Sequence, residues 1–99
     1  MPLLLLGQLV RSSAGRDKGR LMIVTKTVDT DYVYVADGNA RKVENPKKKK
    51  IKHLKLLGIR AETVADKLFS KRKVSNEEVR KALKELADLV SLEDAESRK

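Results

Sequence analysis

Cysteine is absent from this chain of 99 residues, as is tryptophan, and the aromatic residues come to one phenylalanine and two tyrosines. The first absence excludes a disulfide scaffold and thiolate metal sites, and it favours a reducing, cytoplasmic setting. Sparse aromatics argue against a broad stacking platform and for recognition by backbone and shape. Histidine occurs once, as His53, so no Ser-His-Asp set can be assembled from named parts. Asp17, Asp29, Asp31 and Asp37 fall on separate turn segments without calcium-loop spacing, and their plain reading is as turn formers. Gly15-x-x-x-Gly19 is not a Walker loop, because Lys18 precedes the second glycine and no Gly-Lys-Ser/Thr follows. The expectation is therefore a protein that is not an enzyme, with no cofactor, no metal and no catalytic residue. Long apolar runs are missing too. Leu3-Leu4-Leu5-Leu6 stops at Gly7, has no basic region before it, and is far short of the roughly 18 residues that cross a bilayer, so no membrane partner is expected.

Positive charge is abundant. The formal net charge is +9. Residues 1–60 hold 14 Lys/Arg against 5 Asp/Glu, while residues 61–99 hold 9 of each. The first part carries the whole excess, which assigns polyanion binding to it and leaves the second part for structure or a protein contact.

Patterning gives the elements. A first strand is expected at about Leu4 to Arg11, a second over Leu21–Val28 on its β-branched apolar run, and a third over Tyr32–Ala36. There the period of two sends Val33 and Val35 to one face and Tyr32 and Tyr34 to the other. Asp37-Gly38-Asn39 signals a hairpin turn into a short cationic strand, Ala40–Val43, which Asn45-Pro46 ends. Lys47–Lys50 reads as an exposed, mobile loop because four adjacent like charges repel. Ile51–Leu57 is a last strand or the start of a helix, stopped by Gly58. From Ala61 the period becomes helical. Ala61, Val64, Ala65, Leu68 and Phe69 form one stripe. Ser75 and Glu78 form a capping box for a second helix whose stripe is Val79, Ala82, Leu83, Leu86, Ala87, Leu89 and Val90. The helices are expected near 61–72 and 76–90 as a hairpin, with Glu93–Lys99 a frayed tail.

Between the first two strands lies Arg11-Ser12-Ser13-Ala14-Gly15-Arg16-Asp17-Lys18-Gly19-Arg20. Gly15 and Gly19 permit positive φ or close backbone approach, and the turn offers N–H groups beside the heads of Arg16 and Lys18, a combination that suits phosphate. Strand, Gly-x-x-Lys-Gly loop and strand together resemble a KOW motif. The resemblance continues through Asp29, Tyr32–Gly38, Arg41-Lys42 and Lys52-His53-Leu54, over roughly the first 55 residues. In that form the chain is similar to the small KOW-domain RNA-binding proteins related to the archaeal and eukaryotic fourteenth large-subunit ribosomal protein. The resemblance implies a mainly β fold with α: a small SH3-like barrel over residues 1–58, followed by a helical hairpin and tail over 59–99, in one compact unit. It also tips Ile51–Leu57 toward a strand.

The RNA-binding set that follows is Arg11, Ser12, Gly15, Arg16, Lys18, Gly19, Arg20, Tyr32, Tyr34, Arg41, Lys42, Lys47, Lys48, Lys49, Lys50, Lys52, His53 and Lys55. Plainer readings stand beside it. The lysine run is also what a solubilising loop or a localisation signal looks like. Tyr32 and Tyr34 either stack on unpaired bases or pack against the helices, and His53 either meets RNA or is a half-buried structural residue. Two functions remain: binding of RNA, ribosomal in the family's manner, and a NusG-like docking module that recruits a protein of transcription or translation through the C-terminal helices.

Overall fold

The computed structural model describes residues 5–97, and the side chains of residues 5–90. Five strands and two helices follow in the order β1 (Gln8–Ser12), β2 (Leu21–Thr27), β3 (Tyr32–Ala36), β4 (Lys47–Lys50), a 3₁₀ turn (Ile51–His53), β5 (Leu54–Arg60), α1 (Glu62–Phe69) and α2 (Asn76–Ser97). The strands form one antiparallel sheet in the order β4-β3-β2-β1-β5, open at β4 and β5. No described helix is long and apolar enough to cross a membrane.

Both faces of the sheet centre are buried, so neighbouring residues of β1 and β2 point into different clusters. Leu9 and Ile23 join Leu57, Ala61, Val64, Val74, Val79 and Val90 beneath the helices. Val10, Met22 and Val24 join Val33, Val35 and Leu54 on the opposite face. The inward placement of Val33 and Val35 is as the alternation predicts, both being fully buried. Register shifts at Gln8/Val10 and Val24/Lys26 bend the two central strands. Such bulges sharpen the twist and curl a sheet around its inner cluster. Each fully buried Val, Leu or Ile contributes roughly 1.5–3 kcal/mol.

Several expectations are corrected. The first strand begins at Gln8 after Leu6 and Gly7 turn the chain, and Leu4, its expected start, lies outside the described residues. There Gly7, at φ +80°, donates its N–H to Val24 O at 2.9 Å and accepts from Ala61 N at 2.9 Å. Ala40–Val43 is not a strand. Asp37 Oδ1 takes the N–H groups of Asn39 and Arg41, each at 2.9 Å, and holds that segment in turns. Lys47–Lys50 is a strand rather than a mobile loop, paired residue by residue with Tyr32–Val35. Backbone pairing with β3 outweighs lysine repulsion because alternate lysines leave on opposite faces. β5 runs through Gly58 to Arg60.

The helices also differ from expectation. α1 stops at Phe69, and Lys71 takes φ +58° just beyond it. α2 continues past Val90 to Ser97, so Glu93–Ser97 is helical and not a separate tail, and the last two residues of the expected tail, Arg98 and Lys99, lie outside the described residues. The capping box forms: Ser75 Oγ accepts from Glu78 N, and Glu78 Oε2 from Ser75 N, both at 3.1 Å. Instead of pairing along their lengths, the helices meet at the start of α2 through Lys67–Glu78, and α2 lies mainly on β5 and β2. Phe69 and Leu89, assigned to the apolar stripes, are 47% and 49% exposed.

Candidate nucleic-acid interface

The loop between β1 and β2 is a closed hydrogen-bonded unit. Gly19 N donates to Ser12 O at 2.7 Å, Lys18 N to Gly15 O at 3.2 Å, Arg20 N to Asp17 O at 2.9 Å and Ser12 N to Arg20 O at 3.1 Å. Gly15 and Gly19 take φ of +84° and +87°, the left-handed conformation that glycine adopts without strain. No atom lies within 4 Å of a Cβ built on Gly19, so no part of the fold presses against it. The N–H groups of Lys18, Gly19 and Arg20 are spent inside the loop, while Arg16 and Lys18 are exposed.

Asp17 is the knot of this loop. Its Oδ1 accepts from Ser12 Oγ at 2.9 Å and from Lys49 Nζ at 3.0 Å, and its Oδ2 lies 3.5 Å from Lys47 Nζ. Lys49 also donates to Ala14 O at 3.0 Å. Asp17 and Lys49 are both buried. Desolvation pushes the Asp17 carboxyl up, but the hydrogen bonds from Lys49 and Ser12 and the charges of Lys49 and Lys47 outweigh it, lowering the pKa to about 2. Ser12 and Lys49 therefore build the loop's frame and present no charge to a partner. The loop is thereby tied to edge strand β4, and Ser13 N, donating to His53 O at 2.9 Å, ties it to the 3₁₀ turn. The His53 side chain is half-buried.

A second tie gathers Arg20 and Arg41 at Asp37. Arg20 Nη1 donates to Asp37 Oδ2 at 2.9 Å, while Arg41 N reaches Oδ1. Desolvation raises the Asp37 pKa and these bonds lower it, with a net shift downward. The segment is moored to α2, whose Asn76 Oδ1 accepts from Val43 N at 2.7 Å. Its Nδ2 donates to both Glu44 oxygens, and Arg80 Nη1 donates to Gly38 O at 2.5 Å. Lys42 is exposed beside this mooring and Arg41 is half-buried. Asn76 and Arg80 were invisible to sequence reasoning, since a polar residue at a helix start signals only a cap.

The four lysines of β4 divide by strand alternation. Lys47 and Lys49 turn toward Asp17, whereas Lys48 and Lys50 stand on the face of Tyr32 and Tyr34, which are half-buried. Lys48 Nζ is 4.8 Å and Lys50 Nζ 5.8 Å from the centre of the Tyr32 ring, and Lys26 Nζ is 6.0 Å from that of Tyr34. The tyrosines are thus flanked by cations. Lys26 was missing from the sequence-derived set, although its place on β2 opposite Tyr34 follows once β2 and β3 are paired. Lys52 and Lys55 are exposed, and Arg11 donates to Gly19 O at 3.2 Å. Loop, β4 and 3₁₀ turn are thus tied to one another, and Arg41 is joined to the loop through Asp37 and Arg20. Among the described residues no group of three or more His, Cys, Asp or Glu is placed to hold a metal ion. No protein-family model matches the chain, and no curated protein matches it.

Proposed function

We propose that this chain is a non-enzymatic RNA-binding protein of KOW type, contacting structured ribosomal RNA by its phosphates and acting with the ribosome or in its assembly. On this reading the curled sheet is an SH3-like barrel, a view supported by the inner cluster, which draws on β1, β2, β3 and β5. The observation that carries the function is the fate of the acids. Of the five in residues 1–60, Asp17 and Asp37 are buried under cations and backbone N–H groups. Asp29 Oδ1 accepts from Asp31 N and Tyr32 N at 2.8 and 2.9 Å, and Glu44 is held by Asn76. Four acids are thus engaged within the fold, while Arg16, Lys18, Lys42, Lys48, Lys52 and Lys55 remain exposed. Such a surface attracts a polyanion at long range and releases counterions on contact.

Affinity for structured RNA should therefore fall with salt. Neutralising about five phosphates gives a log–log slope of roughly −3.5 to −4.5. The triple variant Lys18→Glu, Lys48→Glu, Lys52→Glu should bind at least about tenfold more weakly, whereas Lys81→Glu with Lys84→Glu on α2 should bind like the parent. Fluorescence anisotropy over a salt series reads both. A slope near zero, or equal losses in the two variants, removes the phosphate-gripping mechanism. A second reading, docking of a protein of transcription or translation, is favoured by exposed Phe69 and Leu89 on the helical side. It calls for binding that is insensitive to the triple variant.

A further inference from the structure

We infer that Tyr32 and Tyr34 form a two-step stacking platform for unpaired nucleotides of single-stranded RNA, with Lys26, Lys48 and Lys50 supplying the phosphate contacts. This rests on the RNA-binding reading and deepens it: the strand face takes bases, not phosphates alone. Residues two apart on β3 stand on one face about 6.6 Å from each other, close to the repeat of an extended nucleotide strand. Each ring is half-buried, so it is seated in the sheet yet still reachable. Three ammonium groups lie within reach of the two ring faces. A base that stacks on either ring displaces its ammonium from the π face, and the displaced cation meets the phosphate of the same nucleotide. Beside Tyr32 an open depression of about 530 Å³, lined by Thr30, Asp31, Tyr32, Lys50, Ile51 and Lys52, has room for a nucleobase. Bases inside an A-form duplex are already stacked on one another and cannot offer a face to these rings. The platform therefore separates single strands from duplexes, which the exposed charge alone does not.

The chain reports on itself, because with no tryptophan its intrinsic fluorescence comes from Tyr32 and Tyr34. Full-length protein is titrated with an eight-nucleotide oligouridine, a duplex RNA of equal length, oligoglutamate and inorganic polyphosphate. Tyr32→Phe and Tyr34→Phe each leave one emitter. Oligouridine should quench both emitters, and the other three probes should bind by charge without quenching. Tyr32→Leu and Tyr34→Leu should each weaken oligouridine binding by roughly 5- to 100-fold, while the Phe variants stay near the parent. Unchanged polyphosphate binding by the Leu variants shows that their lysine surface is intact. If oligouridine binds without quenching, or the Leu variants bind it like the parent, the platform is wrong and the phosphate-binding reading stands. Equal quenching by duplex or by oligoglutamate also overturns the platform, the latter in favour of an acidic peptide. Failure to bind any RNA removes both readings.

Discussion

Asp17→Ala is expected to lower stability by about 3–5 kcal/mol, the cost of leaving a buried ammonium without its counter-charge. The Lys49 side chain is only 8% exposed, and with Asp17 gone it keeps a neutral carbonyl, Ala14 O, as its remaining partner. The double variant Asp17→Leu, Lys49→Met removes both charges and should recover most of the loss, so urea unfolding of the three proteins isolates the pair. The pH dependence has a defined sign. The folded-state pKa is lowered, so the group's contribution is fully present above its unfolded value of 3.8 and is lost as pH falls toward about 2. A shift of that size corresponds to about 2 kcal/mol. The parent should lose this increment between pH 5 and pH 2, and the double variant should not. Equal stability of parent and Asp17→Ala at neutral pH rules out the knot as a structural element.

Gly7→Ala should destabilise by a comparable amount, about 3–5 kcal/mol, from two costs that act together. The residue sits at φ +80°, and its new Cβ would lie 2.4 Å from Ala65 Cβ and 2.9 Å from Ala65 Cα. Ala65 is buried on α1, so the helix must move away from the sheet. Gly19→Ala has the same kind of φ and open space, and should cost only the conformational part, about 1–2 kcal/mol. Thermal denaturation of both variants separates crowding from backbone strain. Ala65→Gly in the Gly7→Ala background should relieve only the Cβ share of the crowding, because the backbone Cα at position 65 stays 2.9 Å away, and it adds about 1 kcal/mol of cost for glycine inside a helix. If Gly7→Ala and Gly19→Ala melt together, the close approach of α1 carries no weight.

What the sequence revealed and hid follows from the range of the interactions. Strands β2 and β3, the inward valines and the capping box depend on residues a few positions apart, and their periodicity was enough. The lysine run was misread because its local chemistry, like-charge repulsion, is overridden by pairing with β3, a partner more than ten residues away. Its alternate lysines serve two purposes only because the run is a strand. The Asp17 knot joins positions 17 and 49, and nothing near either residue announces it. Asp37-Gly38-Asn39 signals a hairpin into Ala40–Val43, but Asp37 and Asn76 take the N–H groups of Arg41 and Val43, and Arg80 holds Gly38 O. Phe69 fits a helical stripe, but as the last residue of α1 it is left about half in solvent. For the candidate interface, the cations were legible as a set, whereas the burial of Ser12 and Lys49 around Asp17 and the place of Lys26 beside Tyr34 required the fold.

The mooring of residues 37–44 on α2 bears on how the molecule opens. Gly38 lies so near Asn76 O and the Arg80 side chain that an added Cβ would sit 2.4 Å from the carbonyl, and Val43 N is spent on Asn76. A surface turn normally exchanges its amide hydrogens through small local fluctuations. Here the Val43 amide is released only when the turn lifts from the helix. Its exchange should therefore follow the parting of this turn from α2, making one loop amide a gauge of how firmly the helix holds the segment.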